Sequence, residues 1–155
     1  MVSFRAITEE NFAAVVAMKR PPGEEYVAPN VYSLAQAWLY RENGDVYPFA
    51  VHDGETPVGF VLLEEDMDER ALIVWRVMFP EEHQNKGYGT ETLRQIIRLA
   101  AASGKYDRLL LDCKPENTIA WHVYEKLGFL PTGRIINEGE TELGLELKQE
   151  GHDHR

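Results

Sequence analysis

Two groups of residues in this 155-residue chain have the types and spacing to do chemistry. The first is Gln84-Asn85-Lys86-Gly87-Tyr88-Gly89. It lies between a run that starts at Leu72 and ends at Phe79, apolar, β-branched or aromatic apart from Arg76, and an amphipathic run that puts Leu93, Ile96, Ile97 and Ala100 on one helical face. A glycine-bearing turn leading from a buried strand into a helix offers several free backbone N–H groups at the positive end of the helix dipole. That suits a phosphate or pyrophosphate. The second group is Asn117 and Tyr124, seven residues apart and so on one helix face two turns apart. Taken alone, the pair reads as an N-cap and a half-buried core aromatic.

The turn matches neither the P-loop pattern nor the three-glycine dinucleotide pattern. Gln-x-x-Gly-x-Gly after a strand and before a helix resembles the acetyl-CoA pyrophosphate loop of the GCN5-related N-acetyltransferase (GNAT) family. Asn117-x-x-Ala120-x-x-x-Tyr124-Glu125-Lys126-x-Gly128-Phe129 resembles the second signature of the same family. The two occur in the family's order, with the expected strand between them, and the resemblance covers residues 46–148. Val27-Ala28-Pro29-Asn30-x-Tyr32-Ser33-Leu34-Ala35-x-Ala37 and Trp75-Arg76-Val77-Met78 are similar to the spermine/spermidine-type subgroup.

The resemblance implies acetyl transfer from acetyl-CoA, a cosubstrate, to a primary amine by direct attack. It implies that backbone groups of Val77, Met78 and Phe79 pair with the pantetheine arm. N–H groups of Gln84, Asn85, Lys86, Gly87, Tyr88, Gly89 and Thr90 would cradle the pyrophosphate, with the glycines allowing close approach. Lys86 either adds its charge to a phosphate or stays solvated. Asn117 would line the cofactor, Tyr124 would act as general acid toward the leaving thiolate, and an N–H near Met78 or Phe79 would stabilise the developing oxyanion. Some polyamine-acetylating relatives carry a carboxylate on the central strand, two positions before the pantetheine-pairing residues. Trp75 occupies that position, which leaves the base open among Glu24, Glu25 and a water chain; Glu24 and Glu25 are also the expected contacts of the cationic substrate, or else an exposed charged loop.

Composition bounds the class. The net charge of −10 argues against a nucleic-acid partner. Residues 1–70 carry 13 acidic and 5 basic side chains, whereas residues 71–155 carry 13 and 11. The acidic half either serves solubility or steers a small cationic amine. No apolar run reaches membrane-spanning length, and the single Cys113 excludes an internal disulfide and suits a cytoplasmic protein. Cys113 reads as a small core residue rather than an acetyl carrier. His152 and His154 lie in a terminal segment expected to be a disordered tail, 151–155, so no metal site is expected. His83 and His122 read as surface or packing residues.

Positioning these groups takes one domain, 1–150, of α/β class: a mixed, mostly antiparallel sheet with helices on both faces. The expected order is strand, two helices, three strands, helix, strand, helix and two strands. Thr8 is expected to cap the first helix, with Glu9 and Glu10 in its first turn, Phe12, Val15 and Val16 as its buried stripe and Pro21-Pro22-Gly23 as its end. Ser33 and Gln36 read as a capping box opening a second helix that buries Leu34, Ala37 and Trp38. The run Glu64-Glu65-Asp66-Met67-Asp68-Glu69 reads as an acidic loop. Asn117 is expected to cap a helix that ends at a left-handed Gly128. The leading reading is a polyamine acetyltransferase acting as a homodimer; the alternatives are acetylation of a protein amine or amine antibiotic, or a non-catalytic acetyl-CoA sensor.

Overall fold

The computed structural model describes residues 1–22, 28–136 and 139–147. Its elements run β1 (Val2–Ala6), α1 (Phe12–Ala17), α2 (Asn30–Leu39), β2 (Val46–Asp53), β3 (Thr56–Asp66), β4 (Ala71–Met78), α3 (Tyr88–Ser103), β5 (Arg108–Cys113), α4 (Thr118–Lys126), β6 (Leu130–Ile136) and β7 (Glu140–Glu146). This is the expected order. Among the described residues the strands form one seven-stranded sheet in the order β1-β2-β3-β4-β5-β7-β6. β1–β2, β2–β3, β5–β7 and β6–β7 are antiparallel, and β4 runs parallel to β5 through Ala71–Arg108, Leu72–Leu109 and Ile73–Leu110. The sheet is thus mixed and mostly antiparallel, with four α-helices among the described residues.

Two compact units divide the chain: Met1–Glu64 with Val74–Leu93, and Glu65–Ile73 with Arg94–Arg155. In the first, Val15, Ala50, Phe60 and Leu62 are fully buried together, with Leu34, Ala37 and Trp75 packed against them. Each buried Val, Leu or Phe side chain contributes about 1.5–3 kcal/mol. In the second, Leu109, Leu111, Phe129 and Leu143 are buried. The three consecutive leucines of β5 are all buried, as a fully enclosed strand requires.

Several expectations are corrected. α1 begins at Phe12, so Glu9 and Glu10 are not in its first turn, and Thr8 lies in the preceding turn, its carbonyl accepting from the N–H groups of Asn11 and Phe12. Phe12 is 51% exposed, leaving Val15 as the buried contact. The helix stops at Ala17, ahead of the prolines, where Met18 turns to extended backbone. α2 starts at Asn30, one residue after Pro29, so Ser33 is a buried residue inside the helix rather than its cap. Arg76 of β4 takes up both capping-box side chains: it donates to Ser33 Oγ at 3.1 Å and to Gln36 Oε1. A guanidinium that needs acceptors outcompeted a local N-cap bond. Trp38 is 66% exposed, with the Arg41 guanidinium 3.6 Å over its ring. Glu64, Glu65 and Asp66 extend β3 instead of forming a loop. The segment 151–155 lies outside the described residues.

Candidate active site

β4 delivers the first part of the site. Its last residue, Met78, and the following Phe79 are buried, while Val77 is half-buried. Phe79 is seated by a residue that sequence reasoning missed. A Cβ added at Gly59 of β3 would lie 2.4 Å from the Phe79 ring and 2.9 Å from the Met78 carbonyl oxygen. Only glycine leaves room for that ring. The signal was a lone Gly within an apolar strand, which marks a close approach.

The chain then makes one 3₁₀ turn, Glu81–His83, and enters the loop. Gln84 does not offer its side chain outward: its amide Nε2 donates to the Phe79 carbonyl at 2.7 Å and closes the loop on the strand end. Asn85 and Gly87 have left-handed backbones, φ 61° and 81°. Left-handed residues within a turn let successive N–H groups face one side, a geometry suited to an anion. A Cβ at Gly87 would meet nothing within 4 Å, so the space over the turn is open. Glycine is needed there for its φ.

α3 begins at Tyr88, so Gly89 and Thr90 belong to its first turn. The Glu91 N–H bonds the Gly87 carbonyl at 3.0 Å. The N–H groups of Tyr88, Gly89 and Thr90 precede it and have no intrahelical acceptor. The Tyr88 ring stacks on Phe79 with centroids 6.3 Å apart, and its hydroxyl donates to Asp53 Oδ2 at 2.6 Å. That bond raises the phenol pKa. Leu93, Ile96 and Ala100 are buried along the helix, as the spacing predicts. Lys86 is exposed. One unit therefore brings together Val77, Met78, Phe79 and the whole of 84–90.

The second unit carries Asn117 and Tyr124 on α4. Asn117 caps that helix, its Oδ1 accepting from the Ala120 N–H at 3.4 Å. Gly128 follows in the left-handed region, φ 103°, as expected. Seven residues along a helix separate the two side chains by about 10 Å of rise on the same face. Tyr124 is half-buried, with its ring edge-on to Phe129 at 6.0 Å. On β5, Cys113 is buried, and burial, then Glu140 and Glu116, push its thiol up to about 11, so it is not a thiolate at neutral pH. Its neighbour Asp112 stands opposite Glu142 in the β5–β7 register. Desolvation around the carboxyl, then Glu140 and Glu142, push Asp112 up to about 6, although the residue reaches the surface. The sequence carried no sign of this, because the shift depends on strand pairing. Glu24 and Glu25, expected to hold substrate, lie outside the described residues. Among the described residues no group of three or more His, Cys, Asp or Glu side chains is placed to hold a metal ion, and no helix is long and apolar enough to cross a membrane.

The model of the acetyltransferase (GNAT) family matches residues 11–129, which run through both units. The chain belongs to this family. It is an acetyl-CoA-dependent N-acetyltransferase. It is 28% identical to the spermine/spermidine N(1)-acetyltransferase of Bacillus subtilis (strain 168) over 158 residues, 94% of this chain and 99% of that one. A probable spermine N(1)-acetyltransferase of Bacillus subtilis subsp. natto is 27% identical over the same shares. Among solved structures, a mutant of the spermidine N-acetyltransferase SpeG from Vibrio cholerae superposes with a TM-score of 0.74 at 17% identity, covering 94% of this chain and 93% of that one. The Vibrio cholerae spermidine N-acetyltransferase in complex with CoA and spermine gives 0.68 at 17% identity, over 94% and 95%. This structural likeness is one of fold.

Proposed function

We propose that this acetyltransferase acts on a primary amine of a polyamine such as spermine or spermidine. The observation that carries the reading is the near full-length similarity to the Bacillus subtilis spermine/spermidine enzyme. The charge fits: residues 1–70 are net −8, a field that attracts a polycation.

The thioester arrives on acetyl-CoA, and the residues of this chain bind it, orient it and move protons. Main-chain groups of Val77, Met78 and Phe79 hold the pantetheine arm. The open left-handed turn at Asn85 and Gly87, followed by the free N–H groups of Tyr88, Gly89 and Thr90, takes the diphosphate. Lys86 adds its charge there. Asn117 lines the cofactor while capping α4. An N–H at Met78 or Phe79 receives the negative charge that develops on the carbonyl oxygen. The amine nitrogen attacks once deprotonated, the C–S bond breaks, and Tyr124 gives its proton to the departing sulfur. Arg76 next to Trp75 leaves β4 without a carboxylate, so the amine's proton goes to Glu24, Glu25 or water. Glu24 and Glu25 also bind the cationic substrate. We read the two units as one catalytic domain, 1–150, working as a homodimer in the cytoplasm.

A substrate panel tests this. Thiol release from acetyl-CoA is followed with spermine, spermidine, lysine-bearing peptides and an aminoglycoside. Release with the polyamines at kcat/KM well above the others supports the reading. Release with peptides or the antibiotic alone moves the acceptor to that class.

A further inference from the structure

The first turn of α3 is fastened at two points to a single register pair of the β1–β2 ladder. The Tyr88 hydroxyl donates to Asp53 Oδ2 at 2.6 Å, and Glu91 Oε2 accepts from the Val2 N–H at 2.7 Å. Val2 and Asp53 are themselves partners in the β1–β2 ladder. Tyr88 and Glu91 are three residues apart, so both project from one side of the turn that begins the helix. Two carboxylates close to an anion-binding helix start are an electrostatic cost unless their charge is taken up by donors. Each of these accepts such a donor.

We propose that Asp53 is a positioning residue for the diphosphate. By accepting the Tyr88 hydroxyl it locks the orientation of the first turn, and so aims the N–H groups of Tyr88, Gly89 and Thr90. The proposal rests on the assignment of 84–90 to the diphosphate. The Phe79–Tyr88 stack and the edge-on contact of His83 with Tyr88, centroids 6.2 Å apart, hold the ring from its other sides. Asp53 closes the remaining degree of freedom, rotation of the ring and its helix turn about that stack. Asp53 touches no substrate atom in this account.

The test compares acetyl-CoA with acetyl-pantetheine, which presents the same thioester and lacks the diphosphate. Asp53→Ala raises KM for acetyl-CoA about 5–10-fold, leaves kcat within twofold and leaves kcat/KM for acetyl-pantetheine unchanged. Asp53→Asn, whose amide oxygen still accepts, restores the KM to within about threefold of wild type. Tyr88→Phe reproduces the alanine effect, and the double variant is no worse than either single one, because the same Tyr88–Asp53 bond is lost in each case and the other Asp53 contact, with the N-terminal ammonium at 3.9 Å, is an exposed pair. An unchanged KM in Asp53→Ala, or equal losses with both thioesters, overturns the proposal. Should Asp53→Ala fail to fold, Tyr88→Phe decides by the same readouts. If the wild-type enzyme uses both thioesters equally well, the diphosphate assignment fails first, and this inference with it.

Discussion

The side-chain amide of Gln84 donates to the main-chain carbonyl of Phe79 at 2.7 Å, joining the start of the glycine-bearing loop to the residue that follows β4. The bond converts the intervening 80–83 into a closed ring, so the loop cannot shift without the strand proposed to pair with the pantetheine arm. A hydrogen bond of this kind contributes about 0.5–1.5 kcal/mol net. Gln84→Ala is therefore expected to raise KM for acetyl-CoA about 3–10-fold with little change in kcat. Steady-state kinetics with saturating amine measure it. An unaltered KM would separate loop geometry from cofactor affinity.

Gly59 and Phe79 set the second expectation. A methyl at Gly59 would stand 2.4 Å from the ring, far inside contact distance, and 2.9 Å from the Met78 carbonyl oxygen, so strand or ring must move. Overpacking of this kind costs about 1–3 kcal/mol. For a chain of this size Gly59→Ala should lower Tm by about 3–9 °C. Phe79→Leu in that background relieves the clash and recovers part of the loss. A Gly59→Ala variant as stable as wild type would contradict the packing described.

Tyr124 is the proposed proton donor to the sulfur. Tyr124→Phe keeps the ring contact with Phe129 and removes only the hydroxyl. Turnover should fall by about 10²-fold while CoA affinity stays within twofold. Isothermal titration with CoA alongside kcat separates the two quantities, and undiminished turnover would remove Tyr124 from the chemistry.

Asp112 makes stability depend on pH. Its folded-state pKa, about 6, lies above its ordinary value of 3.8, so the folded protein holds that proton more tightly than the unfolded chain. Stability from this group is greatest at low pH, falls as pH rises between about 4 and 6, and stays reduced above that window. Asp112→Asn removes the penalty. After solvent screening, about 1 kcal/mol remains, or a Tm rise of roughly 2–4 °C at pH 7.5 with no rise at pH 4. Thermal melts at the two pH values give the answer; equal shifts at both would rule out the carboxylate as the cause.

What could be read from the residues depended on how local the determinants are. The element order, the buried Leu109-Leu110-Leu111 strand, the Asn117 cap and the left-handed Gly128 were legible because each is set within a few residues by propensity, period or backbone sterics. The Ser33–Gln36 capping box failed because Arg76, forty residues on, claimed both side chains. Trp38 looked like a core residue by spacing, yet it covers itself with Arg41 at the surface. At the site, the glycine-bearing turn leading from a strand into a helix was legible, because glycine sterics and helix period are local. Gly59, Asp53 and Asp112 were not, because their roles exist only once β3, β2 and β5 have found their partners.

The central claim is that the main-chain amides of 84–90 grip the diphosphate of acetyl-CoA. Backbone amide chemical shifts, followed while CoA and then pantetheine are titrated into the labelled protein, test it most directly. The account predicts large downfield shifts for Gly87, Gly89 and Thr90 with CoA and near silence at those positions with pantetheine. Equal shifts with both ligands, or none at these three amides when CoA is bound, would contradict it.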